Sequence, residues 1–268
     1  MTRLTIAIPT FRRPQDLKRA VIGVLEQAGE LVGGSSAEAR EPEGDAAGAA
    51  DVDGVAGRGV SDVEVLVIDN DAQGTGREAA LAAAADAGVP VRSSAEAPEE
   101  PGGVGLRYVV EERPGVAAVR NRALDETGGR DLLVFIDDDE EPEAGWLRRL
   151  LSTRRDTGAA AVAGLVVPDY EAEPGPWLRA GGFFDRQSWP TGARRPVAAT
   201  NNLLLDLGAV RAAGLRFDEA FGATGGEDAL FTRSLVAAGG VIVWCDEARV
   251  RDRVPAARLE RAWVLRRR

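Results

Sequence analysis

Apolar positions along this chain alternate between two spacings. Leu4-Thr5-Ile6-Ala7-Ile8 reads as a short strand closed by Pro9, and Leu17, Ala20, Val21, Val24, Leu25 and Ala28 then recur at helical spacing, with Gly29 as the stop. Val63–Ile68 reads as a second strand and Gly76–Ala87 as an Ala-rich helix. Leu106–Val110 predicts a strand, and Val116–Glu126 a helix that Pro114 starts. The most apolar run, Leu132–Ile136, predicts a strand followed by a helix over Trp146–Arg155. Strands alternating with helices predict an α/β fold, a parallel sheet with helices on both faces. Residues 31–61 and 93–103 have no periodicity, and both are expected to be disordered insertions. The second half changes character. Residues 168–198 are rich in Pro, Gly and aromatics; a strand at Asn202–Leu205, a helix at Glu227–Ala238 and a strand at Val241–Trp244 follow.

Composition narrows the chemistry more than the fold. With 268 residues and 44% hydrophobic positions, the chain suits a single α/β domain, residues 1–268. Basic residues number 33 and acidic residues 43, a net charge of −10 that argues against a nucleic-acid partner. Much of that charge lies in the two insertions, so it says little about a site. There is no histidine, which removes His-based triads, His metal ligands and a His general base. Cys245 is the single cysteine and Lys18 the single lysine, so an internal disulfide, a cysteine zinc site and a phosphate-loop lysine drop out. No apolar run approaches the roughly 20 residues that span a bilayer. Met1-Thr2-Arg3 leads into a strand rather than a signal peptide, so a reducing, cytoplasmic setting is expected. The Arg-rich C-terminus adds an expected peripheral membrane contact.

Carboxylates, arginines, hydroxyls and amides remain. Asp137-Asp138-Asp139-Glu140-Glu141 directly follows the most apolar strand. Ligands of open α/β sheets bind beyond the carboxyl ends of the strands. Packing such charge there calls for a positive partner, and a hard cation such as Mg²⁺ or Mn²⁺ suits oxygen ligands. Receiver-domain and haloacid-dehalogenase chemistries need a lysine this chain lacks at that place. Asp69-Asn70-Asp71 ends the second strand in the same way, and Pro9-Thr10-Phe11 the first, with Phe11 suited to stacking on a base. Arg120 and Asn121 sit in a helix opened by Pro114-Gly115, whose start favours an anion. Glu227-Asp228 after Gly225-Gly226 reads either as an acidic helix cap or as an exposed general base.

The order Ile6-Ala7-Ile8-Pro9-Thr10-Phe11, Val67-Ile68-Asp69-Asn70, Gly115 through Arg120-Asn121, Phe135-Ile136-Asp137-Asp138-Asp139, Thr200-Asn201-Asn202-Leu203 and Gly226-Glu227-Asp228 resembles family 2 glycosyltransferases of the GT-A fold. The resemblance implies a Rossmann-like, mostly parallel central sheet. It also implies inverting transfer of a sugar from a UDP-, GDP- or dTDP-sugar to a hydroxyl of a glycan, a lipid-linked acceptor or a small molecule. Carried over by position, Pro9, Thr10, Phe11 and Asp69 hold base and ribose, Asp137 and Asp138 lie at the ribose or sugar, and Asp139 holds Mg²⁺ or Mn²⁺ on the diphosphate. Arg120, Asn121, Asn201 and Asn202 lie near the donor, Asp228 is the base, and Glu227 is its alternate. The halves divide as 1–140 for the nucleotide and 141–268 for the acceptor. Relatives carry a histidine where Arg251 stands here, and an arginine cannot ligate a metal but can fork onto a diphosphate. A catalytically inactive nucleotide-sugar-binding module and a nucleotidyltransferase are the rival readings; the latter usually needs a glycine-rich loop, which Thr10-Phe11-Arg12-Arg13 is not.

Overall fold

The computed structural model describes residues 2–37, 59–93, 103–221 and 225–266. In the first half the chain runs β1 (Thr2–Thr10), α1 (Pro14–Ala37), β2 (Val60–Asp69), α2 (Arg77–Asp86), β3 (Val91–Arg92), β4 (Gly103–Val110), α3 (Val116–Glu126) and β5 (Leu132–Ile136). It continues through β6 (Glu140–Pro142), α4 (Trp146–Thr157), β7 (Ala161–Tyr170), α5 (Pro176–Gly181), β8 (Arg194–Arg195) and β9 (Asn202–Asp206). The described chain ends with α6 (Leu207–Ala212), α7 (Glu227–Ala237), β10 (Ile242–Val254) and α8 (Arg261–Arg266).

These strands form one sheet in the order β3-β4-β2-β1-β5-β9-β7-β10-β6, with β8 also on β10. β1, β2, β4 and β5 run parallel, as the alternation of elements predicts. β9 runs antiparallel between β5 and β7, so the sheet is mixed on that side. Both faces are covered. Leu4, Ile6 and Ile8 of β1 pack with Leu17, Val21 and Val24 of α1 and with Trp146 and Leu150 of α4. Ala7 points the other way, into a layer with Val119 of α3 and Phe231 and Leu235 of α7. This two-sided burial makes the strands apolar nearly throughout.

Several boundaries, and one strand, differ from the sequence expectation. β1 continues through Pro9, because its ladder with β5 ends at Ala7–Phe135 and no bond is demanded of the missing N–H on that side. α1 passes Gly29, which faces open space, because Leu31 extends the buried face. The expected insertion 31–61 is therefore helical to Ala37 and strand from Val60, while 38–58 lie outside the described residues. Of the second insertion, Gly103 belongs to β4 and 94–102 lie outside the described residues. β7 was not expected, since Gly164 and Pro168 interrupt its apolar run. Gly164 has a reason: a Cβ there would stand 2.3 Å from both the Ala248 carbonyl and the Asn202 amide. β10 runs well past Trp244 to Val254, with a register shift between Cys245 and Arg249.

Candidate active site

The carboxyl ends of β1, β2 and β5 meet along one edge of the sheet. Thr10 Oγ1 donates to Asp138 at 2.7 Å, and Arg13 bridges Asp138 at 3.1 Å and Asp139 at 2.8 Å. Beside them opens a cleft of about 540 Å³ lined by Pro9, Thr10, Phe11, Asn70, Gly115 and Asp137. Phe11 is 52% exposed at this cleft, with the Arg12 guanidinium 4.9 Å from its ring centre. The Asn70 side chain holds the far wall by donating to the Glu111 and Arg113 carbonyls and accepting from Gly115 N–H.

A larger cleft of about 830 Å³ shares Arg13, Asp137 and Asp139 with the first and adds Glu140, Asn201 and Asp252. Burial and neighbouring carboxylates push Asp137 up to about 6, against the relief that Arg120 supplies. Glu140 is raised well above its ordinary value by burial and by Asp137, and Asp252 is raised by burial and by Asp139. Glu140 accepts from the Asp137 backbone N–H at 3.1 Å and from Asn201 Nδ2 at 2.7 Å, which fixes the turn after β5. A third cleft, about 510 Å³, shares Arg186 and Asn201 with the second and is lined by Asp228, Trp189 and Trp244. The three clefts are neighbours through these shared lining residues, in the order Phe11, then Asp137 and Asp139, then Asp228.

Several residues expected at the site have side chains committed to the fold, although Asp138 still lines the 540 Å³ cleft and Asn202 the 510 Å³ cleft. Asp69 is fully buried, and its carboxylate accepts from Asp71 N–H at 2.9 Å, Gly76 N–H at 2.8 Å and Tyr108 O–H at 2.6 Å. It organises the loop after β2 and has no surface to offer a base or ribose. Asp138, at 5% exposure, is likewise committed to Thr10 and Arg13 and ties β1 to β5. Asn202 is buried; it accepts from Trp146 Nε1 and donates to the Leu165 and Ala248 carbonyls, so it pins β9 to its neighbours. Arg120 is buried against Glu227, and Asn121 bonds Phe217 and Glu219, so neither reaches the nucleotide cleft. Glu227, in turn, is 4% exposed and paired, whereas Asp228 lines the cleft, as Asp185 also does.

Arg251 is a further correction. Beyond Glu247 the buried positions of β10 are Ala248, Val250 and Val254, and Asp252 and Val254 line the 830 Å³ cleft, so exposed Arg251 points to the opposite face. Asp252 was missed by sequence reasoning, as were Arg13 and Arg186, while Glu140 was noticed only as part of the acidic cluster and given no role. The signal for Asp252 was its even spacing with Val250 and Val254.

A divalent cation fits this donor set. Asp139 and Asp252 repel each other across the cleft, only hard oxygen donors are offered to a cation, and Asp137, Glu140 and Asp252 stay raised despite Arg13, Arg120, Arg186 and Arg258 nearby. Among the described residues no three acidic side chains form a ready ligand group, so a cation there takes further oxygens from elsewhere. Magnesium and manganese do this readily, keeping waters or phosphate oxygens.

The profile described as Glycosyl transferase family 2 matches residues 52–205. The chain belongs to that family. This family 2 chain is 40% identical over 164 residues, 61% of its length, to "Succinoglycan biosynthesis protein ExoM" of Rhizobium meliloti (strain 1021). It spans about half of that relative, 52%. Among solved structures it resembles S. aureus TarS 1-349 in complex with UDP, at a TM-score of 0.59 and 12% identity over 94% of this chain and 61% of that one. GalNAc-T7 with UDP, GalNAc and Mn²⁺ superposes at 0.60 with 13% identity, over 95% of this chain and 44% of that one. The GT-A fold expected of the family 2 chain is thereby the fold it has.

Proposed function

We propose that this protein is an inverting glycosyltransferase that moves a sugar from a nucleoside-diphosphate sugar to an acceptor hydroxyl. The observation that carries the reading is the row of three neighbouring clefts with Asp139 at its middle and Asp228 at its far end. In this reading Pro9, Thr10 and Phe11 hold the nucleoside, with Phe11 stacked on the base. Asp137 and Asn201 lie against the ribose and the donor sugar. Asp139, with Asp252 beside it, would hold a divalent cation, which when bound neutralises charge on the leaving diphosphate.

Asp228 works from the other side. It accepts the acceptor's hydroxyl proton as that oxygen forms its bond to the anomeric carbon, and the bond from that carbon to the diphosphate oxygen breaks, its electron pair leaving with the nucleotide. Attack opposite the leaving group inverts the anomeric centre. In this reading residues 1–140 serve the nucleotide and 141–268 the acceptor, except that Asn201 and Asp252 of the second half also serve the donor side. UDP in TarS and in GalNAc-T7, and Mn²⁺ in the latter, support a uridine donor and a metal-assisted site. The binding-module reading rests on Arg251 and the missing histidine, and Asp252 on the cleft, an oxygen donor in that neighbourhood, counts against it. No helix among the described residues is long and apolar enough to cross a membrane. Leu265, 64% exposed on α8 between arginines, supports a peripheral contact with an anionic lipid surface.

Thermal-shift titration with UDP, GDP and dTDP and their sugars, with and without Mn²⁺, tests the reading. A cation-dependent rise in melting temperature with one nucleotide is expected. No shift with any of them contradicts it.

A further inference from the structure

Arg120 and Asn121 are adjacent on α3, and both act on the segment that leads into α7. Asn121 Oδ1 accepts from Phe217 N–H at 2.9 Å and Nδ2 donates to the Phe217 carbonyl at 2.9 Å, holding that residue from both sides. The Phe217 ring stacks on Phe231 of α7 at 4.1 Å, and the Arg120 guanidinium lies 5.7 Å from the Phe217 ring centre. Arg120 Nη1 donates to Glu227 Oε1 at the first residue of α7. Their side chains are only 8% and 6% exposed. The chain enters α7 through Gly225 and Gly226 at φ +73° and +102°, a conformation that leaves the entry without side chains to fix it. The start of α7 is therefore set by contacts from α3.

The pair is kept at a cost. Arg120 Nε and Glu227 Oε2 are buried without a hydrogen-bond partner. A buried ion pair with unmet groups is a poor device for stability alone, since apolar residues of similar volume often serve as well.

We propose that the Arg120–Glu227 pair is a positioning device that aims Asp228 at the acceptor hydroxyl. The inference rests on Asp228 being the base. The pair touches neither donor nor acceptor; it acts through the first turn of α7.

The experiment uses the full chain with the nucleotide sugar that the wild-type protein hydrolyses fastest among UDP-, GDP- and dTDP-sugars, and UDP with Mn²⁺ as the binding probe. Glu227→Gln, Arg120→Gln, their double variant and Asp228→Asn are compared at a temperature where circular dichroism shows all four folded. Glu227→Gln and Arg120→Gln are expected to lower kcat about a hundredfold, the scale of a small misplacement of a catalytic group. In Glu227→Gln, donor KM and the Kd for UDP should stay at wild-type values; Arg120→Gln also withdraws a positive charge that favours ionised Asp137, so the split of kcat from KM is read from Glu227→Gln. The double variant should lose no more than the worse single one, because one device is removed twice. Unchanged kcat in the folded single variants overturns the proposal, and so do losses that multiply in the double variant. Asp228→Asn separates the two layers. If it turns over like wild type while Glu227→Gln is inactive, Glu227 is the base and the proposal fails. If all variants turn over like wild type, or the wild-type protein hydrolyses none of the sugars, the functional reading beneath it fails instead.

Discussion

Asp137→Asn should make the protein more stable while making it inactive. The carboxyl of Asp137 is pushed from an ordinary 3.8 to about 6, first by burial, then by Asp139, Asp138 and Asp252 outweighing the help of Arg120. Each tenfold change in proton affinity is worth about 1.4 kcal/mol, so holding the charged form in the fold costs at most ~3 kcal/mol. The sign follows from linkage. A carboxyl whose folded pKa is raised carries no penalty below its unfolded value and the full penalty above its folded value. Asparagine keeps the shape and never ionises. Urea unfolding of both proteins in EDTA from pH 4 to pH 8 should show no difference near pH 4. A gap favouring the variant should open between pH 4 and pH 6 and level off near ~3 kcal/mol. Mn²⁺ at pH 7.5 should narrow the gap by stabilising the wild type, whose acidic cluster it neutralises. Equal stability at pH 7.5, or a gap of constant size at all pH values, would refute the electrostatic argument; the latter would mean that asparagine simply packs better.

Three further outcomes follow from the same geometry. Asp228→Asn should lower kcat roughly 10²–10⁴-fold, the usual contribution of a general base, with the Kd for UDP unchanged by calorimetry. Asp252→Asn should weaken Mn²⁺-dependent UDP binding while Arg251→Ala leaves it and the donor KM untouched; the reverse pattern would return the role to Arg251. Leu265→Asp should reduce co-sedimentation with phosphatidylserine vesicles relative to the wild type, and equal sedimentation would remove α8 from any lipid contact.

The parts of the fold legible in the sequence were those where one periodicity runs unbroken. β5 and α3 begin and end as their patterns predict, because both are flanked by strong boundary signals and buried on a consistent face. Punctuation misled where tertiary context overrode it, as at Pro9 and Gly29. β7 stayed hidden because Gly164 exists to admit the Asn202 amide, a contact between residues far apart in the chain. The acidic edge after β5 was visible as a cluster, but not which acids are committed. Asp69 and Asn202 look like ligand contacts at strand ends, yet their hydrogen bonds run inward to backbone and side chains that no local pattern reveals. Arg251 came from the resemblance alone, as the residue standing where relatives carry a histidine; strand alternation could not have checked it, because the register shift between Cys245 and Arg249 breaks the phase of β10 beyond Trp244.

The central claim is attack on the anomeric carbon from the Asp228 side, opposite the diphosphate. Proton NMR of donor hydrolysis tests it without knowledge of the acceptor, since water then takes the place of the hydroxyl. With a UDP-α-sugar that the protein turns over, the first free sugar to appear should be the β-anomer, with the α-anomer growing in only as mutarotation proceeds. An α-anomer released first would contradict the account, because it would mean retention at the anomeric carbon and a different role for Asp228.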